Sequence, residues 1–205
     1  MLTVGNSAAV VEEMLGNGLL SCPGCGGRLG GHGHAVRRRV FMAGRLPVAV
    51  RPRRSRCSSC GVTHVLLPAW LLALRRDSAA VIGEMLARAA LGQGFRSIAA
   101  VSGVPEDTVR DRLRRFRTSA AGVREFFTRL AGALAVDPVP LDPAGSVLGD
   151  AVAAVAAAAA AAAARWPALA VSPWEFAAVV TAGSLLSPDV VFRAVRGDVL
   201  ASALG

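Results

Sequence analysis

With 205 residues and a formal net charge of +9, the chain has room for one large domain or two to three small modules, and its excess charge calls for a polyanionic partner. The longest apolar run, Ala151 to Ala164, is 14 residues between Asp150 and Arg165. A bilayer crossing needs about 20, so no membrane span is expected.

The charge is unevenly placed. Residues 1–129 hold 20 arginines against 8 acids, and residues 130–205 hold 3 against 6, so a polyanion is expected to meet the first two thirds. Lysine is absent. Arginine suits bidentate grips on phosphate or guanine, although GC-rich coding explains the bias equally well. The N-terminus lacks the charged start, apolar run and cleavage site of a secretory signal. A reducing, cytoplasmic and nucleoid-associated location is therefore expected.

In chain order, residues 6–15 predict a short helix with Asn6 as N-cap and Gly16 as stop, its Val10, Met14 and Leu15 packing onto the ribbon. Next come the only four cysteines, as Cys22-Pro-Gly-Cys25-Gly26 and Cys57-Ser-Ser-Cys60-Gly61. A two-residue gap lets a tight turn aim both sulfurs at one ion, and the following glycine accepts the positive φ that such a turn requires. Four thiolates fill a tetrahedral shell, so the expected occupant is structural Zn²⁺ held by Cys22, Cys25, Cys57 and Cys60, with no open position for catalysis. Disulfides are disfavoured by a reducing compartment. His32, His34 and His64 are competing ligands by type, but with four thiolates present they are expected at the surface or in the hairpin.

The cysteine pairs are separated by 31 residues, more than the usual 15 to 20 or so, which predicts a hairpin or three-stranded ribbon between them. Arg28 to His34 is a glycine-rich turn. Val36–Met42 and Leu46–Arg56 are expected strands flanking a turn at Ala43-Gly44, with Pro52 marking an exposed edge. Residues 26–56 contain no acid. Of the nine arginines there, Arg37, Arg38, Arg39, Arg51, Arg53, Arg54 and Arg56 are the candidate phosphate contacts. Thr63 to Leu74 is an apolar connector in which Trp70 and its leucines join the ribbon to the next module.

From Asp77 the apolar period becomes helical, and residues to Arg117 predict a trihelical unit. Asp77 caps a first helix with Val81, Ile82, Met85 and Leu86 on one side. A short second helix runs from Arg96 to Val101. Gly103 supplies the turn, and Pro105 opens a third helix whose Val109, Leu113 and Phe116 face inward. Asp107, Thr108, Arg110, Asp111 and Arg114 are then its candidate base-reading residues, arginine suiting guanine and aspartate cytosine N4.

The stretch Ile98-Ala-Ala-Val-Ser-Gly-Val-Pro-Glu-Asp-Thr-Val-Arg110 resembles the helix-turn-helix of bacterial transposases and regulators. The order CPGCG, arginine-rich ribbon, CSSCG, THVLLP, helix-turn-helix resembles an uncharacterised actinobacterial zinc-ribbon plus helix-turn-helix family, and its first part is similar to the zinc-binding N-terminus of insertion-sequence transposases. The likeness covers residues 15–117 and implies DNA binding. Ser102 stands where a buried leucine is usual, with Val101 as the expected substitute, and Arg112 stands where an apolar residue is common.

Residues 119–135 predict another amphipathic helix, either completing the bundle or forming a homodimer seam. Residues 137–145, with three prolines, form a linker. Residues 146–165 are an alanine-rich helix. Ser172-Pro-Trp-Glu175 is a capping box opening a further helix, with Trp166 and Trp174 expected to clamp the two together. A short helix is expected to begin at Ser187-Pro188.

The expected fold is α+β, mostly α. Residues 1–64 form a zinc ribbon with an N-terminal helix, 65–136 a helix-turn-helix module, 137–145 a linker and 146–205 a helical tail. The leading expectation is a double-stranded-DNA-binding protein that is not an enzyme and has no membrane or small-molecule partner. The acids after residue 130 are scattered and lie on no strand pattern, which disfavours a catalytic carboxylate trio. An accessory or truncated transposase component, or a ribbon module for protein or RNA, are the alternatives.

Overall fold

The first third of the chain holds the strands with one helix among them, and helices follow. The computed structural model describes residues 1–42, 44–167, 172–187, 189–190 and 192, and over these the protein is mixed α+β. In order come β1 (Leu2–Val4), α1 (Ala8–Asn17), β2 (Leu29–His34), β3 (Arg38–Met42), β4 (Arg45–Val50), β5 (Arg53–Cys57) and β6 (Thr63–Pro68). Then come α2 (Ala79–Ala90), α3 (Phe95–Ser102), α4 (Glu106–Leu134), α5 (Val147–Arg165) and α6 (Pro173–Val180).

One sheet has the order β1-β6-β5-β2, with β1 parallel to β6 and the other pairs antiparallel. α1 covers it, burying Val11, Met14 and Leu15 with Leu20, Leu29 and Leu66. The cap of α1 is Ser7 rather than Asn6: the Ser7 hydroxyl accepts from the Val10 amide at 3.4 Å, and the helix ends at Gly18 (φ 68°), not Gly16. Asn6 is used elsewhere. Its carbonyl accepts from the Trp70 amide at 3.2 Å and its amide donates to Glu175 at 3.1 Å, tying the start of the chain to α6.

Two expectations about the ribbon are corrected. The glycine-rich stretch expected as a turn is the strand β2, held through its main chain to β5 in the register Leu29↔Cys57, Gly30↔Arg56, Gly31↔Ser55. The strand expected over 46–56 is two strands, because the chain breaks at Arg51-Pro52. Pro52 is buried and its carbonyl accepts from the Ala35 amide at 2.8 Å. β5 enters the four-stranded sheet, while β4 stays with β3 in a separate hairpin. Ala43 of the expected turn lies outside the described residues, and Gly44 beside it has φ 59°.

The first half of the apolar connector is a strand: Thr63–Pro68 is β6, whose Leu66 and Leu67 are buried. Val40 on the inner side of the hairpin packs on Leu67 and Leu71. β3 is also tied to the segment before α2: the Phe41 amide donates to the Arg76 carbonyl (2.7 Å), and the Ser78 amide donates to the Phe41 carbonyl (3.0 Å).

Ser78, not Asp77, caps α2 by accepting from the Val81 amide at 3.3 Å. The third helix and the helix expected at 119–135 are one, α4, with 29 residues and thus about 43 Å long. Val109, Leu113, Phe116, Ala120, Val123, Phe127, Leu130 and Leu134 keep an unbroken alternation of four and three, so one face runs the whole length and is buried except at the half-buried Leu130.

The residues between α4 and α5 are non-helical. They carry the chain back along α4, so that α5 runs in the same direction as α4. Arg124 meets Asp150 near the start of α5 at 3.3 Å, and Ala131 and Ala135 share a groove with Ala157 and Ala161. By length and composition α5 could cross a membrane. Its face of Ala151, Ala154, Val155, Ala158 and Ala162 is buried in the helical core. The Ser172/Glu175 capping box forms, and Trp174 lies across Gly83, joining α6 to α2. Of the helix expected from Ser187-Pro188, the described residues Ser187, Asp189, Val190 and Phe192 are not helical, and the rest lies outside the described residues.

Candidate metal centre and cationic surfaces

The two cysteine pairs occupy matching turns. The Gly26 amide donates to the Cys22 carbonyl (2.9 Å) and the Cys22 amide to the Gly27 carbonyl (2.8 Å). In the second turn the Gly61 amide donates to the Cys57 carbonyl (3.1 Å) and the Cys57 amide to the Val62 carbonyl (2.9 Å). Gly26 (φ 73°) and Gly61 (φ 71°) take the left-handed conformation that closes each turn. β2 and β5 bring the turns together.

The Cys22 and Cys60 sulfurs lie 3.8 Å apart, those of Cys25 and Cys57 3.5 Å, and all four within 4.8 Å. Bonds of about 2.3 Å to a tetrahedral ion put sulfurs about 3.8 Å apart, so the cage has the size of a metal site and no pair is disulfide-bonded. Cys22 and Cys57 are buried; Cys25 and Cys60 face solvent.

Protons are shared unequally among the sulfurs. The Cys60 amide, then that of Ser59, with hydrogen bonds from Cys25 and Cys60, draw the Cys57 thiol down to about 6. The Gly24 amide chiefly lowers Cys22. At Cys25 the Gly27 amide favours the thiolate, but hydrogen bonding with Cys57 and Cys60, with burial and Cys22, outweighs it and pushes the thiol up to about 12. Four adjacent sulfurs resist full ionisation unless a cation compensates them.

His32 and His34 are exposed, whereas His64, expected at the surface or in the hairpin, is buried with Nε2 3.4 Å from the Cys22 sulfur. The signal was present in the alternation of β6, where His64 is in phase with the buried Leu66.

The candidate phosphate contacts divide sharply. Arg53 is taken up by Glu12 and the Gly33 carbonyl, and Arg56 donates to the Gly61 carbonyl at 3.2 Å. Arg38 is half-buried, its pKa lowered by burial, and Arg54 is half-buried opposite Val65. Arg37, Arg39 and Arg51 are exposed and have no acidic partner among the described residues. Arg37 and Arg51 line an open cleft of about 610 Å³ with His34 and Ala49.

On the helices, α3 ends at Gly103 (φ 69°), and Val104 and Pro105 lead into α4. Ile98, Val104, Val109, Leu113 and Phe116 are buried together. Val101, the expected substitute for a buried leucine, is 61% exposed, and Ser102 is half-buried. Asp107, Arg110 and Arg114 face solvent, and Thr108 is half-buried. Arg110 pairs with Asp107 at 3.0 Å and lies over the Phe95 ring at 4.4 Å. Asp111 is occupied, accepting from Arg112 (3.1 Å), Arg114 (2.9 Å) and Arg115 (2.8 Å). The Arg115 hydrogen bond, with Arg114 and the charges nearby, lowers its pKa. Three arginines saturate it, which leaves little capacity for cytosine.

Residues 22–101 match the model of a domain of unknown function, DUF6431; the match begins at the first cysteine and ends within α3. Neither a curated protein nor a solved structure matches the chain.

Proposed function

We propose that the protein binds double-stranded DNA without catalysing a reaction, with structural Zn²⁺ in the four-cysteine cage and α3–Gly103–α4 acting as a helix-turn-helix. The observation that carries this reading is the pairing of two cationic surfaces. One is the outward stripe of α4 with Arg110 and Arg114 exposed just after a tight glycine turn, and the other is the hairpin face with Arg37, Arg39 and Arg51 free of acids. A helix start offered to solvent suits a major groove, and unpaired arginines suit phosphates. Base reading falls to Arg110 and Arg114, with Asp107 and Thr108 beside them; Asp111 orders the arginines around it.

The metal stiffens the ribbon, since β2, β5 and β6 bring both cysteine turns and the base of the hairpin to one place. Four thiolates leave no position for substrate, so the ion has a structural role. The test is a salt-titrated selection from random duplex DNA, with zinc measured on the same sample and RNA and heparin as competitors. Recovery of a sequence motif with one zinc per chain supports the reading. Equal displacement by heparin with no enriched motif rejects it.

A further inference from the structure

α4 is flanked on two sides. Arg110 and Arg112 are two residues apart, hence about 200° apart around the helix, and they make contacts on opposite flanks. Arg110 lies over Phe95 of α3. Arg112 reaches Asp77 at 3.1 Å, and the residues on either side of Asp77 are those that hold the Phe41 main chain. Phe41 and Asp77 are bridge partners, and partners point to the same side of a sheet, so the Phe41 face of the hairpin is the face turned toward α4.

That face is unusual for an unpartnered one. Phe41 is 46% exposed and Leu46, on the facing strand, 87%. Arg39 shares the face with Phe41 by strand alternation, Ala49 lies across from Arg39, and Arg51 comes two residues later in phase with Ala49. The acid on this side, Asp77, is buried and taken up by Arg112, so what the face offers to solvent is apolar side chains bracketed by unpaired arginines, which fit a polyanion with an apolar interior better than a protein surface.

We infer that the β3–β4 hairpin is a minor-groove blade: with α4 in the major groove, Phe41 and Leu46 enter the adjacent minor groove, Arg39 and Arg51 hold the flanking phosphates, and the duplex bends. This rests on the DNA-binding reading above. Apolar wedges that unstack a base step kink DNA by about 20–90° toward the major groove. The Asp77–Arg112 contact would fix the blade relative to α4.

The test uses the full zinc-loaded chain and a duplex of the selected sequence labelled at both ends, with bending read by energy transfer and affinity by titration. Native protein is expected to bend the duplex. Phe41→Ala with Leu46→Ala should lose most of the bend and about tenfold in affinity, while the salt slope stays, since no charge is removed. Phe41→Leu should keep the bend, and Leu91→Ala, an exposed apolar change beyond α2, should behave as native. Zinc content and circular dichroism establish that each variant is folded. Binding without bending, or a native bend in the double variant, overturns the blade and leaves the DNA-binding reading intact. So does a change in oligomeric state on hairpin substitution, which would make this face a contact between copies. Absence of duplex binding by the native chain overturns both.

Discussion

The Arg112 guanidinium lies 3.1 Å from the Asp77 carboxylate, with the two side chains only 12% and 5% exposed. Arg112 is thus paired across to the segment that precedes α2. Breaking such a pair from one side strands a charge away from water. Arg112→Met should lower stability by about 3 kcal/mol in denaturant unfolding, and Asp77→Leu with Arg112→Met should recover most of that loss. Asp77→Asn should cost less than Arg112→Met, because Arg112 keeps Asp111 at 3.1 Å. Equal losses in all three variants would contradict this account.

Gly83 is required by its neighbour. A Cβ built there falls within the Trp174 indole, so Gly83→Ala, normally favourable in a helix, should instead cost about 1–3 kcal/mol through overpacking. Gly83→Ala combined with Trp174→Leu should be less destabilised than the sum of the two single changes, as a double-mutant cycle would show.

Asp111 gives the arginine cluster a pH signature. Its carboxyl is lowered from 3.8, by the Arg115 hydrogen bond first. A depressed folded-state pKa contributes stability that is complete above the unfolded value, near pH 4, and is lost as pH falls through the folded value. The stability difference between native protein and Asp111→Asn should therefore be constant near neutrality and shrink below about pH 4. A difference that persists unchanged into acid would assign the effect of Asp111→Asn to packing.

The parts legible in the sequence were those with short-range causes. The C-x-x-C-G turns, the Gly103 break and the Ser172/Glu175 capping box each depend on a few adjacent residues, and all take the expected form. The alternation of β6 and the four-three repeat across Thr118 were also written in the chain; reading His64 as a surface residue and α4 as two helices missed periodicity that was present. Other features had no local signal. β2 is nearly all glycine and histidine and becomes a strand only because β5 offers it main-chain partners. Nothing near Arg53 announces Glu12, which lies 41 residues away. Charge patterning therefore identified the cationic region but could not tell which arginines were already engaged within the protein.

Metal binding should depend on the cysteines unequally. Replacing Cys57 should abolish tight zinc binding, and replacing Cys60 should do nearly the same. Cys22→Ala should retain weaker binding, because His64 Nε2 lies 3.4 Å from the lost sulfur and three thiolates with one imidazole also form a competent shell. His64→Ala alone should weaken binding by about 10- to 100-fold as a supporting partner is lost. Cobalt substitution checks this directly, since the spectrum of Cys22→Ala should shift toward a nitrogen-containing set and collapse when His64 is also replaced.

The hairpin arginines should contribute unequally to binding. Each phosphate contact contributes about 0.9 to the slope of log affinity against log salt, so Arg37→Ala, Arg39→Ala and Arg51→Ala should each flatten the slope by about that amount. Arg53→Ala should leave the slope nearly unchanged and lower the unfolding midpoint, because Arg53 already bridges Glu12 and the Gly33 carbonyl. Arg110→Ala should differ from both: it relaxes preference among sequences while the hairpin arginines act on every duplex alike. If Arg53→Ala flattens the slope as much as Arg39→Ala does, the Glu12 pair opens on binding and burial in the free protein is no guide to contact. If Arg110→Ala weakens all sequences equally, α4 contributes charge without reading bases.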